Sequence, residues 1–112
     1  MLAKANRITA GVDYRRLVRS GRRARGDVLL AYGKPTRPDA PLRMGVIVAR
    51  NVGNAVVRNR VRRRIKAVGW SIAQQRAGLD VVVRALPPAA AADFSAIDAE
   101  VRRLVGRLER TP

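Results

Sequence analysis

Arg58, Arg60, Arg62, Arg63, Arg64 and Lys66 crowd six cations into residues 58–66, just after Asn54 and around Asn59. Guanidinium forks take phosphate oxygens two at a time, and ammonium groups meet them as point charges. The chemistry on offer is therefore the holding of a polyphosphate. No acid stands between Asp39 and Asp80, while the same interval also carries Arg43, Arg50 and Arg76. Such a patch repels itself, and a polyanion relieves the repulsion while releasing its condensed counterions. Across the chain, 24 Lys plus Arg face 8 Asp plus Glu, a net charge of +16. Nucleic acid is the partner expected from that balance. No membrane partner is expected, because the basic segment lacks large aromatic anchors and the whole chain has one Trp, two Tyr and one Phe.

Catalysis by the polypeptide finds no footing in these residues. With no His and no Cys, there is no zinc finger, disulfide, imidazole base or thiolate nucleophile. The acids Asp13, Asp27, Asp39, Asp80, Asp93, Asp98, Glu100 and Glu109 form no spaced cluster suited to two metal ions. Asp80 and Asp93 stand where a strand and a helix should begin, which predicts turn and capping roles. Asp98 and Glu100 should point to different sides of a helix. No small-molecule cofactor is expected. A chain of 112 residues makes one domain. It contains no 18-residue apolar run and no visible secretory signal, so a cytoplasmic protein is expected.

The elements that must position the cations follow from hydrophobic periodicity. At roughly 100° per residue, Val57, Val61, Ile65, Val68 and Ile72 fall within about 80° of one another, which predicts a helix over residues 57–75 with one buried stripe. Asn59, Arg63 and Lys66 point away from that stripe, Arg60 and Arg62 border the polar arc, and Arg58 and Arg64 flank the apolar one. Gly69 should fray or bend this helix. Trp70 stands near the basic flank, as core or as a stacking surface, with core expected. Residues 1–7 read as a loose basic arm, and Thr9 as the cap of a helix over 10–20 stopped by Gly21. Arg22, Arg23 and Arg25 read as a connector. Strands are predicted over 27–33, over 42–49 (apolar enough to be central) and over 79–86. A last helix runs to about residue 108, capped by Asp93 or Ser95, with Phe94, Ile97, Val101, Leu104, Val105 and Leu108 at helical spacing. The order is helix-strand-strand-helix-strand-helix, an α+β single-domain sandwich of two layers, a small mixed sheet with helices packed on it.

The run Arg43-Met44-Gly45-Val46-Ile47-Val48, then Arg50, Gly53-Asn54-Ala55-Val56 and Arg58-Asn59-Arg60-Val61 followed by Arg62, Arg63 and Arg64, resembles the protein subunit of bacterial ribonuclease P. Asp13-Tyr14, Gly21 and the strand from Asp80 that closes in proline extend the likeness over nearly the full chain. The resemblance implies a partner of the ribonuclease P catalytic RNA that helps remove the 5′ leader of precursor tRNA. Mg2+ would be held by that RNA and not by a protein site. It also implies a left-handed strand-helix-strand crossover, against the usual right-handed rule. On the same ground Asn54, Arg58, Asn59, Arg60, Arg62, Arg63 and Lys66 would face the catalytic RNA. A cleft between the sheet and the first helix would receive the leader, with Tyr14 and Arg50 matching directly.

The chain departs from the family there. Val18 stands where a second aromatic is common, Asn51 where a basic residue often follows Arg50, and Leu86 where an arginine is often found. Residues two apart in a strand share a face, so Arg84 could stand in for the arginine and Tyr32 for the ring. Three rivals remain at this point. A structural ribosomal-type RNA-binding protein would need the helix and no cleft. A DNA-binding regulator would need a helix-turn-helix pair, which residues 42–49 do not supply. An independent nuclease would need an active site of its own.

Overall fold

The computed structural model describes residues 2–109. Strands β1 (Arg22–Arg25), β2 (Leu29–Pro35), β3 (Arg43–Ile47) and β4 (Leu79–Ala85) form one sheet in the order β1-β2-β4-β3. Helices α1 (Gly11–Ser20), α2 (Ala55–Ala73) and α3 (Phe94–Glu109) pack on it. The pairs β1–β2 and β2–β4 are antiparallel, whereas β3 and β4 run parallel and are joined through α2. The mixed α+β class is as expected, with one strand more. Arg22, Arg23 and Arg25 are not a connector but belong to β1, where Ala24 is buried between two exposed arginines. Four residues with three charges carry almost no strand propensity; pairing with β2, Arg23 opposite Tyr32, creates the strand.

Residues 42–49 do not form a central strand either. β3 lies at the sheet edge, and the centre is β4, whose Val81, Val82 and Val83 are all buried. β3 can be apolar at an edge because its open side is covered, which removes a site for unwanted strand pairing. Ile8 donates its N–H to the Met44 carbonyl at 3.0 Å, and the Val46 N–H donates to Tyr14 Oη at 3.2 Å. The N-terminal residues are accordingly a docked segment, not a loose arm. Leu2 and Ile8 are buried, and Asn6 Nδ2 donates to the Leu42 carbonyl at 2.7 Å. Met1 lies outside the described residues.

Strand alternation divides the core. Ala31, Met44, Val81 and Val83 face Val61, Ile65, Val68 and Ile72 of α2 and the apolar stripe of α3. On the other face, Val82 packs with Leu17 of α1, flanked by Tyr14, Tyr32 and Ile47. The helices thus occupy both faces, α1 alone on one of them. Asn54 caps α2, its Oδ1 accepting from the Val57 N–H at 3.0 Å, which starts the helix two residues before Val57. α2 continues to Ala73, uninterrupted by Gly69. A Cβ there would lie 2.6 Å from Met44 Sδ, so glycine is what lets β3 approach the helix. Thr9 caps nothing; Ala10 precedes α1 without a side-chain bond, while Gly21 ends it as expected. Asp93 does cap α3, its Oδ1 accepting from Ala96 N–H at 2.8 Å.

Glu100 is the acid whose role the pattern concealed. It is 5% exposed, and its two oxygens accept the N–H groups of Asp27 and Val28 at 2.9 and 2.8 Å. α3 thereby holds the β1–β2 turn. Glu100→Ala leaves two N–H groups without their acceptor, and the expected loss is about 2–3 kcal/mol of folding stability. Urea unfolding of the variant checks it, and a midpoint equal to that of the parent would contradict this role.

Candidate RNA interface

Along α2 the apolar stripe is anchored at Val61, Ile65, Val68 and Ile72, all buried, which turns the opposite side to solvent. There Asn59, Arg62, Arg63 and Lys66, together with Val56, line a shallow groove. Arg62 Nη1 donates to Asn59 Oδ1 at 2.8 Å, so the asparagine steadies the arginine. Arg63 and Lys66 make no ion pair or hydrogen bond among the described residues, which leaves their full charge to the surface. No acid lines this groove.

Arg58, Arg60 and Arg64 are placed differently from these four. Arg60 Nη2 donates to the Ala90 carbonyl at 3.1 Å and Arg64 Nη1 to the Ala92 carbonyl at 2.6 Å, clamping α2 to the turn Pro87–Ala91 and its exit. Arg58 Nη1 donates to the Gly53 carbonyl at 3.2 Å. Periodicity puts Arg60 at the border of the polar arc, and tertiary packing draws it into the seam. Asn54 has its oxygen engaged in the cap. Trp70, for which core was expected, is 44% exposed on the outward side of α2.

On the opposite face of the sheet, Tyr14, Arg15, Val18 and Arg19 of α1 and Ile47 of β3 line a groove of about 500 Å³, within the range that takes a nucleotide-sized group. Tyr14 is seated against the backbone of Gly45, where an added Cβ would come within 2.5 Å of the ring. Of the expected cleft residues, Tyr14 and Val18 meet here. Tyr32, like Tyr14 and Ile47, packs against the cluster of Ile8, Leu17 and Val82, and Arg84 sits opposite Ile47 in register, on the same face of the sheet. Arg50, exposed in the turn Arg50–Val52, does not line the groove. Arg15 and Arg19 escaped the reading of the sequence, although their i, i+4 spacing beside Tyr14 and Val18 was a usable signal.

The acids are engaged elsewhere. Asp80, buried, accepts from Arg43 Nε and Nη2 at 3.0 and 2.6 Å, and Asp13 of α1 lies 3.8 Å from the same guanidinium. This replaces the expected turn role of Asp80 with a bridge between α1, β3 and β4. The hydrogen bonds that Arg43 donates to the Asp80 carboxylate raise the Arg43 pKa above its ordinary value, against the opposing effect of burial. Among the described residues no three His, Cys, Asp or Glu side chains come together, and no helix is long and apolar enough to cross a membrane.

A basic helix face and an aromatic-lined groove, carried back to back on one small sheet, define an RNA-binding α+β domain. Known proteins agree with that class. Residues 2–109 match the family model for Ribonuclease P. The ribonuclease P protein component of Acidothermus cellulolyticus is 43% identical, with 99% of this chain and 94% of the relative covered. That of an Arthrobacter species is 44% identical over 98% and 88%. The structure of the Staphylococcus aureus RNase P protein superposes with a TM-score of 0.81 over 95% of this chain and 97% of the other, at 24% identity, a likeness of fold. The chain belongs to the ribonuclease P protein family. It is a protein subunit of an RNA-based endoribonuclease and serves 5′ maturation of tRNA, which sets aside the ribosomal-type alternative.

Proposed function

We propose that the two surfaces divide the work of the subunit. The outward face of α2, with Asn59, Arg62, Arg63 and Lys66, holds the catalytic RNA, while Arg58, Arg60 and Asn54 position that face from its flanks. The groove under α1 takes the single-stranded leader of precursor tRNA. Tyr14 offers a ring for stacking, Arg15 and Arg19 offer charge to the backbone, Tyr32 and Arg84 lie on the same face of the sheet, and Arg50 would act from outside the groove lining. The observation that carries this reading is the acid-free groove on α2, whose Arg63 and Lys66 have no partner among the described residues.

Mg2+ belongs to the RNA in this reading. Five of the eight acids are engaged otherwise: Asp13 and Asp80 face Arg43, Asp98 pairs with Arg102, Glu109 with Arg76, and Glu100 holds backbone N–H groups. The protein needs no small-molecule cofactor and works in the cytoplasm. Its contribution is to replace counterions with arginine charge where two RNAs approach one another. Recovering the protein gently from cells and sequencing the RNA that accompanies it tests the proposal. One abundant RNA that by itself cleaves precursor tRNA at high Mg2+ is expected, and a population of ribosomal fragments would overturn it.

A further inference from the structure

Viewed down α2, the cations of the RNA face are followed by an aromatic ring. At roughly 100° per residue Asn59, Arg63, Lys66 and Trp70 fall within about 60°, opposite the buried Val61, Ile65, Val68 and Ile72. Trp70 is therefore near the middle of the outward stripe, one turn beyond Lys66, and it is 44% exposed. Indole is the side chain with the most apolar area to bury, yet the fold fills the core beneath it with Val68 and Ile72 and lets Gly69 meet Met44. The folded chain thus leaves a large part of this ring to solvent.

We propose that Trp70 is a stacking platform for an unpaired nucleobase of the catalytic RNA, lengthening the α2 contact by one turn beyond Lys66. This rests on the reading of α2 as the RNA face. Charge chooses the occupant. A second copy of a chain bearing +16 would be repelled, whereas an RNA strand is attracted by Lys66, which stands one helical turn, about 5.4 Å along the axis, before the ring. The base must be unpaired, since pairing and stacking in an A-form helix hide its faces.

Trp70 is the single tryptophan of the chain, so its emission reports this site alone. Titration of the full-length protein with the catalytic RNA is expected to quench that emission in step with binding followed by anisotropy of end-labelled RNA. Trp70→Ala should weaken binding by at least about fivefold, the lower end of what a base–aromatic stack carries, without changing the salt slope, because no charge is lost. Trp70→Phe should restore most of the affinity. Unchanged emission and unchanged Trp70→Ala affinity, with tight binding still abolished by loss of Arg63 and Lys66, would overturn the stacking proposal and leave the α2 face standing. If loss of Arg63 and Lys66 also had no effect, the α2 reading itself would fall. Quenching that follows protein concentration without RNA would mean self-association, and would overturn the proposal as well.

Discussion

The double variant Arg63→Ala, Lys66→Ala is expected to bind the catalytic RNA roughly thirtyfold more weakly, at about 1 kcal/mol per lost charge-assisted contact. Its plot of log affinity against log salt should flatten by about 1.5 units, slightly less than one per phosphate released. Both side chains lie on the outward face and have no partner among the described residues, so the fold should be untouched and thermal unfolding should show it. Arg60→Ala is the instructive contrast. Its guanidinium donates to the Ala90 carbonyl in the seam between α2 and the Pro87–Ala91 turn. Removing it should lower stability and leave the salt slope nearly as it was. Filter binding across a salt series separates the two variants, and an unchanged slope in the double variant would count against the α2 face.

A second large effect is expected at the opposite face. The protein alone should leave precursor tRNA intact, and its addition to the catalytic RNA should lower the Mg2+ needed for cleavage. Within that complex Tyr14→Ala should weaken binding of a precursor with a leader of several nucleotides by about 1–3 kcal/mol relative to mature tRNA, the value of a lost stack. Its affinity for the catalytic RNA alone should hardly move. The ring also rests on Gly45 and its hydroxyl accepts the Val46 N–H at the edge of β3, so some stability is lost with it. Tyr14→Phe supplies the control, since it keeps the ring in place and gives up only that bond, at about 1 kcal/mol. Val18→Phe adds an aromatic to the exposed lining of the same groove and should strengthen long-leader binding. Equal losses for mature tRNA and long-leader precursor in Tyr14→Ala would sink the leader assignment and spare the helix.

The amino-acid sequence determined a good deal by local rules alone. Charge and periodicity on α2 act within a single helix, so the opposition of Val61, Ile65 and Val68 to Asn59, Arg63 and Lys66 could be read without knowing any neighbour. Asp93 as a cap and Gly21 as a stop were legible for the same reason, each involving atoms a few residues apart. What lay hidden depends on contacts between distant segments. β1 exists because β2 pairs with it, and β3 is an edge strand because the chain's first residues and Tyr14 cover it. Arg60 leaves the polar arc because a carbonyl 30 residues away accepts from it. Gly69 is glycine because Met44 of β3 approaches the helix there, a contact between segments 25 residues apart. Helical phase says which way a side chain leaves its own backbone; only the packing of other elements decides whether it meets solvent, a carbonyl or the core.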